Sequence, residues 1–264
     1  MLSAKDLHIT FNVGTPIETR ALQGLSLEIP AGQFVTVIGS NGAGKSTFLN
    51  AVSGELEIDS GTIVIDEEDV TRQPVWTRAK RVARVFQDPM AGTCEDLSIE
   101  ENLALAYGRG KRRSFSRAVK NAMRDEFRER VSILGLGLEN RLSDRIGLLS
   151  GGQRQAVSLL MAALQPSRIL LLDEHTAALD PRTAQFVLEL TDRIVGESKL
   201  TTMMVTHSMR QALDVGERTV MLHQGKVVLD VSGEQRKGME VADLLHMFER
   251  VRGEELADDG LLLS

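Results

Sequence analysis

The sequence predicts an α/β fold with a helical lobe inserted into its core, and three observations carry that prediction. Short apolar runs of strand length alternate with helical stretches in the first third of the chain and again from Ile169 onward. Between them, from about Leu97 to Leu164, helical periodicity prevails, with few β-branched runs and many charges. A glycine-rich turn, Gly39 to Lys45, stands where a strand pattern gives way to a helix pattern. Strand–helix alternation flanking a helical insert points to a sheet-based core with an inserted lobe.

The elements follow in order. Leu7, Ile9 and Phe11 alternate with polar neighbours, as in a half-buried strand, and Leu25, Leu27 and Ile29 repeat the pattern before Pro30-Ala31-Gly32 breaks it. Phe34 to Ile38 is a short, mostly apolar strand. From Ser46 the spacing becomes helical through Phe48, Leu49 and Val52, with Gly54 as the stop. Ile63 to Ile65 and Val82 to Phe86 read as further strands. Asn121 to Leu134 and Gln153 to Leu164 read as amphipathic helices, the second more apolar. Ile169 to Leu172 and Thr201 to Thr206 return to strand, and Val220 to Leu222 with Lys226 to Leu229 form a hairpin through Gln224-Gly225. The stripe Val241, Leu244, Leu245 and Phe248 predicts a helix covering the core, followed by an acidic tail, Gly253 to Ser264.

Composition bounds the function. The chain has 264 residues, 42% hydrophobic and 26% charged, an ordinary globular balance. Its net charge of −6 argues against broad affinity for nucleic acid. No apolar run approaches the roughly 20 residues of a membrane span. No apolar segment of the secretory kind follows the first residues, so a cytosolic location is expected. The single cysteine, Cys94, excludes an internal disulfide or a cysteine-clustered zinc site.

Gly39-Ser40-Asn41-Gly42-Ala43-Gly44-Lys45-Ser46-Thr47 fits G-x-x-x-x-G-K-[ST] between a strand and a helix. Glycines let the backbone wrap phosphate oxygens with several N–H groups, and the following helix presents its positive end to the same charge. Lys45 is placed to reach the β- and γ-phosphates, and Ser46 to ligate Mg²⁺. Ile169 to Leu172 ends in Asp173-Glu174, at the sheet edge where α/β sites form. Alone, that acidic pair reads as a solvated turn. Beside Lys45 and Ser46 it reads as a Mg²⁺ holder, Asp173, and a residue polarising the attacking water, Glu174.

Leu149-Ser150-Gly151-Gly152-Gln153 opens the apolar helix to Leu164 and supplies a second anion-facing helix N-terminus. Here the chain resembles the ATP-binding-cassette ATPases, whose signature is this pentapeptide, from Phe11 to about Gly233 with motifs in the family order. The resemblance implies a P-loop NTPase (RecA-like) core with an antiparallel β subdomain and an inserted α-helical subdomain. It implies one domain over 1–240, with a catalytic core at about 1–87 and 165–240 and helices at about 88–164. ATP and Mg²⁺ are the implied cofactors. Phe11 resembles the aromatic residue that stacks on adenine, where Tyr is commoner. Gln87 resembles the loop glutamine that contacts Mg²⁺ or water and signals to the membrane subunit. Asp180, in Ala178-Leu179-Asp180, matches the loop crossing to the partner subunit, and His207 the switch histidine at the γ-phosphate.

In the family two subunits pair head to tail. ATP on Lys45 of one would be closed over by Ser150, Gly151, Gly152 and Gln153 of the other. The implied catalytic set is Glu174, His207, Gln87 and Lys45, and the implied metal set Ser46, Gln87 and Asp173. The implied partners are a second copy, a transmembrane permease and an extracytoplasmic solute-binding protein, with the chain on the cytoplasmic membrane face. An importer is the expected role. An exporter subunit and a soluble assembly factor are the rivals. Coupling is expected through the groove formed by the segment after Gln87, including 92–96 and 97–102, and the latter stretch resembles the family's segment near the permease's coupling helix.

The family usually has Glu-Pro-Thr-Ser-Ala-Leu-Asp, whereas this chain has Glu174-His175-Thr176-Ala177-Ala178-Leu179-Asp180. His175 is expected to be a tolerated turn residue. His-Thr-Ala-Ala-Leu-Asp resembles a subgroup of bacterial importers with proposed amino-acid substrates. Arg109 to Arg113 reads as a solvated loop, Trp76 and Tyr107 as packing residues, and His8, His223 and His246 as surface or strand histidines without metal-ligand spacing.

Overall fold

The computed structural model describes residues 1–111, 119 and 121–250. Among them the chain builds two sheets with helices around the larger. The smaller sheet is antiparallel, in the order β2-β1-β4-β5. Its strands are β1 (Leu2–Phe11), β2 (Thr19–Ile29), β4 (Ser60–Ile65) and the two-residue β5 (Glu68–Asp69). Leu7, Ile9, Leu25, Leu27 and Ile63 are all buried, so the alternation read along these strands selects the core face.

The larger sheet runs β10-β9-β3-β8-β7-β6. It is formed by β3 (Phe34–Gly39), β6 (Val82–Val85), β7 (Ile169–Asp173), β8 (Thr201–Val205), β9 (Arg218–His223) and β10 (Lys226–Ser232). All neighbours are parallel except the β9–β10 hairpin. The first four residues of β7, all of β8 and the first five of β3 are buried, as strands covered on both faces require. Gly39, Val85, Asp173 and Val205 therefore end at one edge, the place where sheets of this kind carry their ligands. β3 pairs only with strands from late in the chain: Phe34 lies opposite Thr202, and Val35 opposite Met203 and Arg218. The hairpin tip, Gln224-Gly225, has φ values of 47° and 75°, a two-residue turn with both residues left-handed. Gly225 N–H donates to the Ala43 carbonyl at 3.1 Å, tying this tip to the glycine-rich loop.

Helix α1 (Lys45–Ser53) leaves that loop and stops at Gly54, whose φ is 84°. α2 (Val75–Arg78) is a single turn. Arg78 is its buried residue, donating to the carbonyls of Ala51, Val52, Thr71 and Gln73. Trp76 on the same turn is 74% exposed, a correction to its reading as a packing residue: the guanidinium with its carbonyl partners takes the inward position. α3 (Ile99–Tyr107), α4 (Asn121–Ser132) and α5 (Gly151–Ala163) make the helical lobe. Phe127 is fully buried and meets Tyr107 edge-on at 5.9 Å. It shares one core with Leu159 of α5, and with Val85 and Leu172 of the sheet. Arg109 is not solvated as expected, because it donates to the carbonyls of Ala162, in the last turn of α5, and of Gln165 just beyond it. Arg112, Arg113 and the acidic tail lie outside the described residues.

α6 (Pro181–Ser198), α7 (Met209–Asp214) and α8 (Gly233–Arg236) complete the core. A last helix spans 241–250. Its Leu244 is buried with Ile38, Ala212 and Met221, while Leu245 faces outward at 44% exposure. Among the described residues no helix is long and apolar enough to cross a membrane.

Candidate active site

The loop leaving β3 admits only glycine at two points. A Cβ on Gly39 would lie 2.2 Å from the Leu222 carbonyl oxygen, and one on Gly44, where φ is 96°, would lie 2.6 Å from the Ala21 carbonyl. Gly42 faces open space instead, so the loop closes around a hollow rather than around its own atoms. Lys45 is buried beneath it and donates from Nζ to the Gly39 and Ser40 carbonyls at 2.8 and 3.0 Å. Burial pulls its ammonium below the usual pKa, opposed by the charges of Glu174 and Asp173. Among the described residues no carboxylate sits within ion-pair distance of it, so its charge is left available to an anion.

This loop forms one wall of a cavity of about 480 Å³. Phe11, Thr19 and Ala21 line it together with Asn41 to Thr47, Gln87, Glu174 and His207. Thus the structure brings together residues from the ends of β1, β3, β6, β7 and β8. Glu174 is 8% exposed and its Oε1 lies 2.6 Å from His207 Nε2. Its backbone N–H donates to the Val205 carbonyl at 3.0 Å, and its φ is 45°. Gln87 is exposed in the loop after β6, which α5 anchors where Gln155 donates to the Phe86 carbonyl at 3.1 Å.

Asp173 does not line the cavity. Its Oδ2 accepts from Arg84 Nη2 at 2.6 Å. Arg84, a residue that sequence reasoning missed, also donates to Asn50 Oδ1 at 2.7 Å and Glu55 Oε2 at 2.8 Å, and lies over the Phe86 ring. Only its position in an apolar strand pattern could have drawn attention to it. Ser46 and Gln87 line the cavity and offer a hydroxyl and a side-chain carbonyl oxygen, donors that suit a hard divalent cation such as Mg²⁺, whereas Asp173, its Oδ2 held by Arg84 outside the cavity, would reach an ion there through water.

Ser150, Gly151, Gly152 and Gln153 stand apart from this cavity, as does Asp180. Ser150 caps α5: its hydroxyl accepts from Gln153 N–H while the Gln153 side chain returns to Ser150 N–H. A Cβ on Gly152 would lie 2.0 Å from Thr183 Cγ2, so the N-terminal turns of α5 and α6 pack closely. Asp180 caps α6 by accepting from Thr183 N–H, and the Thr183 hydrogen bonds hold its carboxyl below the usual range.

His175 lies in a turn, as expected, but its side chain is buried. It is 2% exposed, with Nε2 3.0 Å from Thr191 Oγ1 on α6. Burial lowers its pKa from 6.5 to about 4, so the ring is neutral at pH 7. A lowered histidine pKa means the unfolded chain takes up the proton first as pH falls. The stability is therefore present above pH 6.5 and lost as pH falls to about 4, on the order of 3 kcal/mol in all. Urea unfolding at pH 7 and pH 4.5 is expected to show this loss in the wild type and a smaller one in His175→Gln.

The profile of the ABC transporter family matches residues 22–177. A tyrosine transport ATP-binding protein of Clostridioides difficile is 42% identical over 94% of this chain and 99% of its own length. An energy-coupling factor transporter ATP-binding protein of Clostridium tetani is 32% identical over 88% of this chain and 78% of its own. Among solved structures, an ATP-binding cassette captured as a dimer after hydrolysis, with ADP and Pi, superposes with a TM-score of 0.75 at 28% identity, over 88% of this chain and 98% of that one. The phosphate loop, the acidic strand end and the capped Ser-Gly-Gly-Gln helix thus sit on the fold of a shared lineage. This chain belongs to the ABC transporter family, as an ATP-binding subunit that hydrolyses ATP to drive transport.

Proposed function

We propose that this chain powers uptake of an amino acid through a separate membrane permease, working as one of two identical copies on the cytoplasmic face. The similarity over nearly the full length of the tyrosine transport protein carries this reading. A solute-binding protein outside the membrane would deliver the solute. Segments 92–96 and 97–102 offer a preformed surface to the permease. Asn102, fully buried, staples them by donating to the carbonyls of Cys94, Leu97 and Ser98 and accepting from Cys94 N–H.

In this reading Phe11 stacks on the base, and the amides of Gly39 to Thr47 with Lys45 hold the phosphates. Ser46, Gln87 and Asp173 would hold Mg²⁺, which when bound neutralises phosphate charge and orients the chain of phosphates. Glu174 takes a proton from the attacking water as its oxygen bonds to the γ-phosphorus. The bond to the β-phosphate oxygen breaks, and ADP and phosphate leave. His207 orients the Glu174 carboxylate. Ser150, Gly151, Gly152 and Gln153 of the second copy close over the phosphates, and Asp180 lies at that crossing. ATP thereby glues the copies together, and hydrolysis parts them.

The test is purification of the chain from its native membranes, followed by reconstitution in vesicles. A multi-span permease is expected to co-purify, and ATP to drive radiolabelled tyrosine into the compartment that the ATPase-bearing face adjoins. Transport in the reverse direction would make it an exporter subunit. Recovery of soluble partners only would make it an assembly factor.

A further inference from the structure

Where this chain departs from its family, at the residue after Glu174, the structure contains a connection that the reaction scheme above does not use. His175 Nε2 lies 3.0 Å from Thr191 Oγ1, near the middle of α6. Thr191 Oγ1 already donates to the Val187 carbonyl at 2.8 Å. A hydroxyl has one proton, so the bond from histidine must run from Nε2–H to Oγ1, which assigns the tautomer. Both residues are buried, and neither lines the cavity.

The neighbouring backbone needs such a restraint. Glu174 has a φ of 45°, a left-handed conformation that a side chain with a Cβ seldom adopts and keeps only where its surroundings enforce it. Two bonds hold it directly: its N–H to Val205, and its carbonyl to Ala177 N–H at 2.9 Å. The third restraint acts one residue on, through His175. A proline at that position would limit the backbone by its own ring. Histidine instead tethers the segment to another helix.

We propose that His175 and Thr191 form a positioning clamp, in which the Nε2–H···Oγ1 bond holds the loop to α6 and so keeps the Glu174 carboxylate aimed for hydrolysis. The inference rests on Glu174 as the residue that activates water. Because Asp180 caps the same helix, the clamp joins the carboxylate to the end of α6 proposed to face the second copy.

Thr191→Val removes the acceptor at almost constant volume, and Thr191→Ser restores it. In the purified full-length chain, Thr191→Val is expected to lower kcat by about 10- to 100-fold, the scale of a misplaced catalytic group. Its KM and its affinity for a fluorescent ATP analogue should stay at wild-type values, and Thr191→Ser should recover most of kcat. His175→Met, which removes the donor, should act like Thr191→Val, and the double variant should be no slower than either. Full kcat in both single variants overturns the proposal. Equal losses in Thr191→Val and Thr191→Ser, a loss confined to KM, or additive losses in the double variant do the same. Glu174→Gln separates the two readings: if it keeps full turnover, Glu174 is not the water-activating residue. If it is inactive while Thr191→Val is not, only the clamp fails.

Discussion

Glu174→Gln is expected to lower ATP turnover by roughly 10²- to 10⁴-fold while leaving ATP bound, because it removes only the proton acceptor. The fold should tolerate the change. Glu174 Oε1 sits 2.6 Å from His207 Nε2, and an amide of the same shape can keep a hydrogen bond there. Loss of a negative charge beside the cavity also relieves repulsion of the triphosphate. The variant should therefore accumulate as an ATP-bound dimer that the wild type forms only briefly. Phosphate release gives the rate, and gel filtration with and without ATP gives the assembly. Undiminished turnover would remove Glu174 from its role, and a variant that no longer binds ATP would place it in binding instead.

Lys45→Ala is expected to fail one step earlier, at binding. The ammonium is buried under the glycine-rich loop, donates to two loop carbonyls and has no carboxylate at ion-pair distance among the described residues. A hydrogen bond to a charged group contributes about 1.5–3 kcal/mol, and each 1.4 kcal/mol is tenfold in affinity. Loss of the contact to phosphate should thus raise the Kd for ATP by roughly 10- to 100-fold. The Gly39 and Ser40 carbonyls also lose their donor, so the loop is held less firmly. Titration with a fluorescent ATP analogue checks this directly. Wild-type affinity in Lys45→Ala would mean that the nucleotide lies elsewhere, whereas Glu174→Gln must keep that affinity.

Sequence reading reached what is local. The glycine loop, the strand ending in Asp173-Glu174 and the Ser150 cap each lie within a few residues, and each is built from types with a narrow conformational or chemical use. The layered fold was legible for the same reason, since burial follows the period-two and helical spacings. What it missed depends on pairs distant in the chain. Arg84 meets Asp173 across 89 positions and Glu55 across 29, and nothing in the run Val82 to Val85 announces that meeting. His175 sits in a turn as its sequence context suggests, but its burial against Thr191 is not legible there, because Thr191 lies on α6, an element announced only by the start signals of Asp180 and Pro181. Trp76 fails in the opposite sense: its size predicts burial, but its one-turn helix turns Arg78 inward instead.

The pairing of β3 has a consequence for biosynthesis. A ribosome must deliver the chain as far as residue 223 before the strand under the phosphate loop gains both neighbours, and to residue 225 before the hairpin tip reaches Ala43. Closing loops of such span is slow. The cradle, encoded near the start, gains its strand neighbours only from residues 201–223. A nascent polypeptide released short of the hairpin would carry the nucleotide motif without the β9 neighbour and the Gly225–Ala43 bond that hold it in place.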